Sequence, residues 1–130
     1  MSSLEKLARL AIDCGYKIHH DLGPGLLESV YETLLAAKLT RAGTLVERQK
    51  PVDFEYEGVR VREGFGADLL VDRLLIVEVK AVERLAAVHS RQVLTYLRLL
   101  DLPLGLLMNF GGETYREGLR RVINDRQKTA

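Results

Sequence analysis

The sequence has a single cysteine, Cys14, so no intrachain disulfide can form and nothing in the composition favours an oxidising compartment. A reduced cytosol is the simple expectation. No apolar run approaches the roughly 20 residues that span a bilayer. The first ten residues carry Glu5, Lys6 and Arg9 where a signal peptide needs an unbroken apolar stretch. The expectation is a soluble, unexported, cytoplasmic protein. Neither sign of charge is in excess: 19 Lys and Arg face 18 Asp and Glu, a net charge of +1, which removes bulk attraction to a polyanion. A local phosphate site stays open, because clustered cations or a bound metal supply positive charge where it is needed. Three prolines and no run of Ser, Gly or Gln leave no candidate linker, and no period indicates an internal repeat. What remains is 130 residues, 47% of them hydrophobic, enough to bury the core of one domain spanning residues 1–130.

Apolar residues Leu4, Leu7, Ala8, Leu10, Ala11 and Cys14 recur at three- and four-residue spacings, which predicts an amphipathic helix from Ser3, its N-cap, to His20. Gly23-Pro24-Gly25 interrupts it. The spacing resumes through Leu26, Leu27, Val30, Tyr31, Leu34, Leu35 and Leu39 as a second helix that Gly43 ends. Val52, Phe54 and Tyr56 then alternate, and Val59 and Val61 follow the turn residues Glu57-Gly58, which predicts a hairpin. The denser apolar runs Ala67–Val71 and Leu74–Val79 read as strands covered on both faces, at the sheet centre. Val93, Leu94, Leu97 and Leu100 predict a helix over Arg91–Leu102, ended by Pro103. Leu104–Phe110 reads as another buried strand and Tyr115–Ile123 as a short closing helix. The predicted order is two helices, four or five strands, a helix, a strand and a helix.

The central hairpin carries an anomaly. Asp68 stands near one end of it, and Glu78 and Lys80 stand near the other, among Leu, Ile and Val. Ionised groups in such company are costly unless they are paired, solvated or bound to a metal. Glu78 and Lys80 share a strand face, and two acids with the Val79 carbonyl make a hard-oxygen set of the kind Mg²⁺ and Mn²⁺ prefer. A lysine beside that metal stabilises charge on a phosphorus centre or orients the attacking water. Register decides the matter: a two-residue turn at Asp72-Arg73 sends Asp68 and Glu78 to opposite faces, whereas a three-residue loop, Asp72 to Leu74, brings them together. The alternative is a plain ion pair between Glu78 and Lys80 with Asp68 capping a turn.

Two further features lie nearby in the sequence. Glu28 and Tyr31 occupy neighbouring positions at the start of the second helix, where the helix dipole favours a negative charge. His89, Gln92 and Tyr96 fall at i, i+3 and i+7, a polar stripe in which Gln92 can bind phosphate or water and Tyr96 can stack on a base. Structural readings, a core tyrosine and a hydrogen-bonded row, fit the same spacings.

Leu22-Gly23-Pro24-Gly25-Leu26-Leu27-Glu28-Ser29-Val30-Tyr31 resembles the motif that gives the GxxExxY proteins their name. The likeness covers the whole chain, through Glu47-Arg48-Gln49, Gly64-Phe65-Gly66-Ala67-Asp68-Leu69, Glu78-Val79-Lys80-Ala81-Val82-Glu83, His89–Leu97 and Gly105–Phe110. The resemblance implies the PD-(D/E)XK nuclease superfamily: an α/β (α+β), restriction-endonuclease-like core with a central mixed sheet flanked by helices. It implies Asp68 and Glu78 as metal-binding acids with Val79, Lys80 as the active-site lysine and Glu28 as a helical catalytic acid. Gln92 and Tyr96 resemble the Gln-x-x-x-Tyr signature of the RecB-like and Cas4-like exonuclease branch, and His89 and Tyr31 join them as nucleic-acid contacts. His19 and His89 stand where the family often has histidine. Ala67 replaces the eponymous proline, and the lone Cys14 excludes an iron–sulfur cluster.

The leading expectation is therefore a Mg²⁺- or Mn²⁺-dependent nuclease acting on DNA before RNA, with water as nucleophile. A non-catalytic nucleic-acid-binding module of the same fold and a purely structural subunit are the alternatives. A homodimer is expected because a short chain gains binding surface by pairing.

Overall fold

The computed structural model describes residues 2–126. The first helix, α1 (Ser3–Leu22), starts one residue earlier than the sequence implied. Ser2, not Ser3, is the N-cap, its Oγ accepting the Glu5 N–H at 3.1 Å. The predicted stripe is the buried face, with Leu7, Ala8, Ala11 and Ile18 inside. Gly23 and Gly25, at φ of 69° and 115°, turn the chain into α2 (Glu28–Arg41) through conformations that a side chain would oppose. Tyr31 locks that turn. Its hydroxyl donates to the Gly23 carbonyl at 2.6 Å and accepts the Leu26 N–H at 3.2 Å, and its ring stacks on Phe110 with centroids 4.6 Å apart.

Strands β1 (Val46–Tyr56) and β2 (Val59–Val71) form the predicted hairpin around Glu57-Gly58, both in the positive-φ region that a two-residue turn of this hand requires. β2 is one long strand where the sequence read as two. Between the pairs Val52–Phe65 and Phe54–Val61 it carries extra residues, with Glu63 at φ 51° and its N–H bound to Asp53 Oδ1. β3 (Leu75–Lys80) lies at the centre, antiparallel to β2 and parallel to β4 (Leu104–Asn109), to which α3 (Ala87–Leu100) connects it. The loop between β2 and β3 has three residues, Asp72 to Leu74. Asp72 and Arg73 sit at φ of 52° and 54°, and Asp72 exchanges hydrogen bonds with the Leu45 backbone.

The predicted closing helix is not formed. Residues 116–118 make one 3₁₀ turn and the chain continues as β5 (Leu119–Ile123), antiparallel to β4, so the sheet order is β1-β2-β3-β4-β5. The spacing of Tyr115, Leu119 and Val122 fits a helix. Gly118, however, lies against the Asn109 backbone, where a Cβ would come within 2.5 Å of the carbonyl oxygen, and the free edge of β4 pairs with the residues beyond it.

The sheet separates two apolar layers. Leu69, Val71, Leu75, Val77, Val79, Leu106 and Met108 pack under α1 and α2, while Ile76, Leu107 and Val122 pack with Val93 and Leu97 of α3. Ile76, Glu78 and Lys80 alternate with the first set, so the acid and the lysine share the α3 side. Among the described residues no helix is long and apolar enough to cross a membrane.

Tyr31→Phe should test the α1–α2 lock. It strands the Gly23 carbonyl and the Leu26 N–H without changing the ring, so urea unfolding should show a loss of about 1–2 kcal/mol. An unchanged midpoint would contradict the role given to the hydroxyl.

Candidate active site

The β2–β3 register, with Leu69 opposite Val77, Leu70 opposite Ile76 and Val71 opposite Leu75, sets Asp68 opposite Glu78. The three-residue loop is what gives this register, and the two acids come together as it requires. At this point side chains take over the linking of the strands. The Asp68 N–H donates to Glu78 Oε1 at 2.8 Å, and the Val79 N–H donates to Asp68 Oδ2 at 2.8 Å. Asp68 is 8% exposed and Glu78 4%. Burial first, and the adjoining Asp68 carboxylate second, push the Glu78 carboxyl from its ordinary value near 4.5 up to about 8.

Asp68 has a third partner that the sequence did not disclose. Gln49 Nε2 donates to Asp68 Oδ1 at 2.8 Å and to Glu32 Oε1 at 2.7 Å. Glu32, 7% exposed on α2, also receives Arg48 through Nε and Nη2 at 3.3 and 3.0 Å. Arg48 and Gln49 are consecutive in β1 and should point to opposite faces. Gln49 has φ of 49°, which breaks the alternation and lets both side chains reach Glu32. A groove of about 500 Å³ lined by Leu27, Glu28, Ser29, Glu32 and Gln49 opens beside these groups.

Lys80 and Glu28 complete the polar end of the hairpin. Among the described residues Lys80 forms no ion pair within 4.0 Å, so the plain Glu78–Lys80 pair is not formed. Glu28 is the first residue of α2. Partial burial raises its carboxyl, Lys80 opposes that, and Asp68, Glu32 and His89 act on it more weakly. Glu28 thus feels the charges of Lys80, Asp68, Glu32 and His89. Tyr96, on α3, faces the same acids: burial raises its hydroxyl, Glu78 and Asp68 add to this, and neighbouring Gln92 opposes it. One ring face of Tyr96 is already taken by Phe65, stacked with centroids 4.2 Å apart.

Three of the residues singled out in the sequence have structural partners. Tyr31 is fully buried and turned into the core, so it offers no nucleic-acid contact. His89 Nδ1 accepts the Ala86 N–H at 3.0 Å and caps α3. His19, whose role was open, is a tie between α1 and the loop after β4, through Nε2 and the Gly112 carbonyl at 2.9 Å. Val79 buries its side chain and meets the site through its backbone. Asn109, opposite Lys80, binds the Val82 backbone through both ends of its amide and so fixes the chain leaving Lys80.

Among the described residues no three His, Cys, Asp or Glu side chains are grouped to hold a metal ion. The donors that do converge are two carboxyl groups, hard oxygen ligands of the type that takes Mg²⁺ or Mn²⁺, and a cation there would offset the repulsion by Asp68 that, with burial, keeps Glu78 protonated.

A profile of the PD-(D/E)XK nuclease superfamily matches residues 5–122, most of the chain. No curated protein matches it, and no solved structure does.

The Glu78 shift gives stability a pH dependence. Its folded value lies above its unfolded one, so the unfolded chain ionises first and the metal-free fold loses stability as pH rises from about 4.5 to about 8. Melting temperature should fall across that window in wild type and fall markedly less in Glu78→Gln, where the raised Glu28 carboxyl leaves a slope of the same sign. A wild-type profile flat over the same range would contradict the buried, protonated carboxyl.

Proposed function

The chain belongs to the PD-(D/E)XK nuclease superfamily, and on that premise we propose that it is a divalent-metal-dependent nuclease hydrolysing phosphodiester bonds of DNA, with RNA as the lesser substrate. The observation that carries the reading is the meeting of two buried carboxylates, Asp68 and Glu78, beside a lysine at the end of the central hairpin. Asp68, Glu78 and the Val79 carbonyl would hold Mg²⁺ or Mn²⁺. Such a cation, when bound, polarises a phosphoryl oxygen and makes water more acidic. Lys80, which pairs with no carboxylate among the described residues, supplies an ammonium that stabilises negative charge on phosphorus or orients the attacking water. Glu28, held protonated more readily than an ordinary glutamate by burial, is the group positioned to exchange a proton with that water. Gln92 is the rim residue for a phosphate or water. Tyr96 offers the ring face not covered by Phe65, and His89 Nε2 is a further donor.

Placement in the GxxExxY family and the RecB-like and Cas4-like branch, a cytoplasmic site of action and homodimerisation complete the proposal. A non-catalytic nucleic-acid-binding module is the second reading, favoured by the net charge of +1.

Incubation with Mn²⁺ and labelled single- and double-stranded DNA and RNA separates the two. The wild type should cleave, Asp68→Asn should not, and Lys80→Ala should be slower by about a hundredfold or more. Binding without turnover supports the second reading, and equal cleavage by wild type and variants removes the site from the chemistry.

A further inference from the structure

We propose that Gln49 is the positioning residue of Asp68: a neutral amide that holds the carboxylate ready for a cation and is itself anchored on α2 by the Glu32–Arg48 pair. The inference rests on reading Asp68 as a cation-binding acid. Three observations lead to it. Both N–H bonds of one amide nitrogen are spent on two different buried carboxylates, at 2.7 and 2.8 Å. The backbone at Gln49 lies in the left-handed region, φ 49°, inside a strand. A non-glycine residue held there is strained and persists where the surroundings over-determine it, often at functional sites. Finally, Glu32 is fixed from its other side by Arg48, so the amide is tied to a charge-paired group and not to a mobile one.

The chemistry explains why an amide occupies this position. A lysine would satisfy both carboxylates and cancel the charge that attracts a cation. A glutamate would add a third negative charge against Asp68 and Glu32. Glutamine supplies two donors and no net charge, so Asp68 is oriented while the pocket stays negative. With Gln49 on Oδ1 and the Val79 N–H on Oδ2, the carboxylate plane is set from two directions. From this left-handed backbone the side chain reaches both Glu32 of α2 and Asp68 of β2.

The test uses the full chain and two readouts. In the metal-free protein, amide hydrogen exchange at Val79 reports whether Asp68 keeps its place, with Val77 and Leu106 as sheet controls. Calorimetric titration with Mn²⁺ reports the consequence for a cation. Gln49→Gly retains the backbone conformation and removes the amide. It should speed exchange at Val79 about tenfold more than at the controls and weaken Mn²⁺ binding by about 10–100-fold. Gln49→Lys should keep Val79 protected yet lose Mn²⁺ affinity, because donors are retained and charge is added. Where the glycine variant does not fold, Gln49→Asn, tolerant of positive φ but one methylene short, takes the same measurements. Protection at Val79 unchanged in the glycine or asparagine variant overturns the inference whatever Mn²⁺ does, as does exchange that rises equally at all three amides. If wild type binds no Mn²⁺ and Val79 alone loses protection, positioning by Gln49 stands and the metal reading falls.

Discussion

At the end of the central pairing, two backbone amides donate to carboxylates instead of carbonyls: Asp68 N–H to Glu78, and Val79 N–H to Asp68. This exchange keeps β2 and β3 linked beyond the last ladder pair and ties both acids to the backbone. It also meets the cost of burying them. A carboxylate removed from water is tolerable when its lone pairs find donors, and here the protein's own backbone provides them. The arrangement depends on register, and register depends on one extra residue in the loop. With Asp72 and Arg73 alone between the strands, Asp68 would face Val77 and the acids would lie on opposite faces.

The rest of the fold holds this point from several sides. α2 contributes at its start, where Glu28 faces Lys80, and one turn later, where Glu32 receives Arg48 and Gln49. Its own position is fixed by the Tyr31 hydroxyl, bound to the turn that precedes it, and by the stack on Phe110. On the other flank α3 brings Tyr96 and Gln92 towards the acids, and Asn109 of β4 secures the segment that leads from Lys80 to that helix. The apolar layers beneath both helices make these placements rigid, since close-packed interiors transmit position as well as stability.

Much of this was legible in the sequence because period and punctuation determine it. The helical stripes, the Glu57-Gly58 turn and the buried central strands were all visible as spacing, and Asp68, Glu78 and Lys80 stood out as charges in apolar runs. The closing element was misread because Tyr115, Leu119 and Val122 satisfy a helical period while pairing with the β4 edge decides the outcome. Tyr31 was half legible: its helix face was clear, but not that its hydroxyl would be consumed by a turn eight residues back in the chain. Gln49 was not legible. No spacing rule assigns a positive φ to a glutamine within a strand, and its two acid partners are 17 and 19 residues away. Glu32 left one weak trace, a like charge four residues after Glu28, which is unfavourable on an isolated helix and here is answered by Arg48.

Membership of the PD-(D/E)XK nuclease superfamily and a mixed sheet flanked by helices agree with one another. The proposed activity depends on a narrower claim, that the paired acids exist to hold a divalent cation. Crystals of the wild-type protein grown with Mn²⁺, measured at the manganese absorption edge, test that claim directly. An anomalous peak in contact with the carboxylates of Asp68 and Glu78, and absent from Asp68→Asn crystals, is the predicted result. No peak at these two side chains in well-ordered wild-type crystals, or a manganese site only elsewhere on the chain, would contradict it.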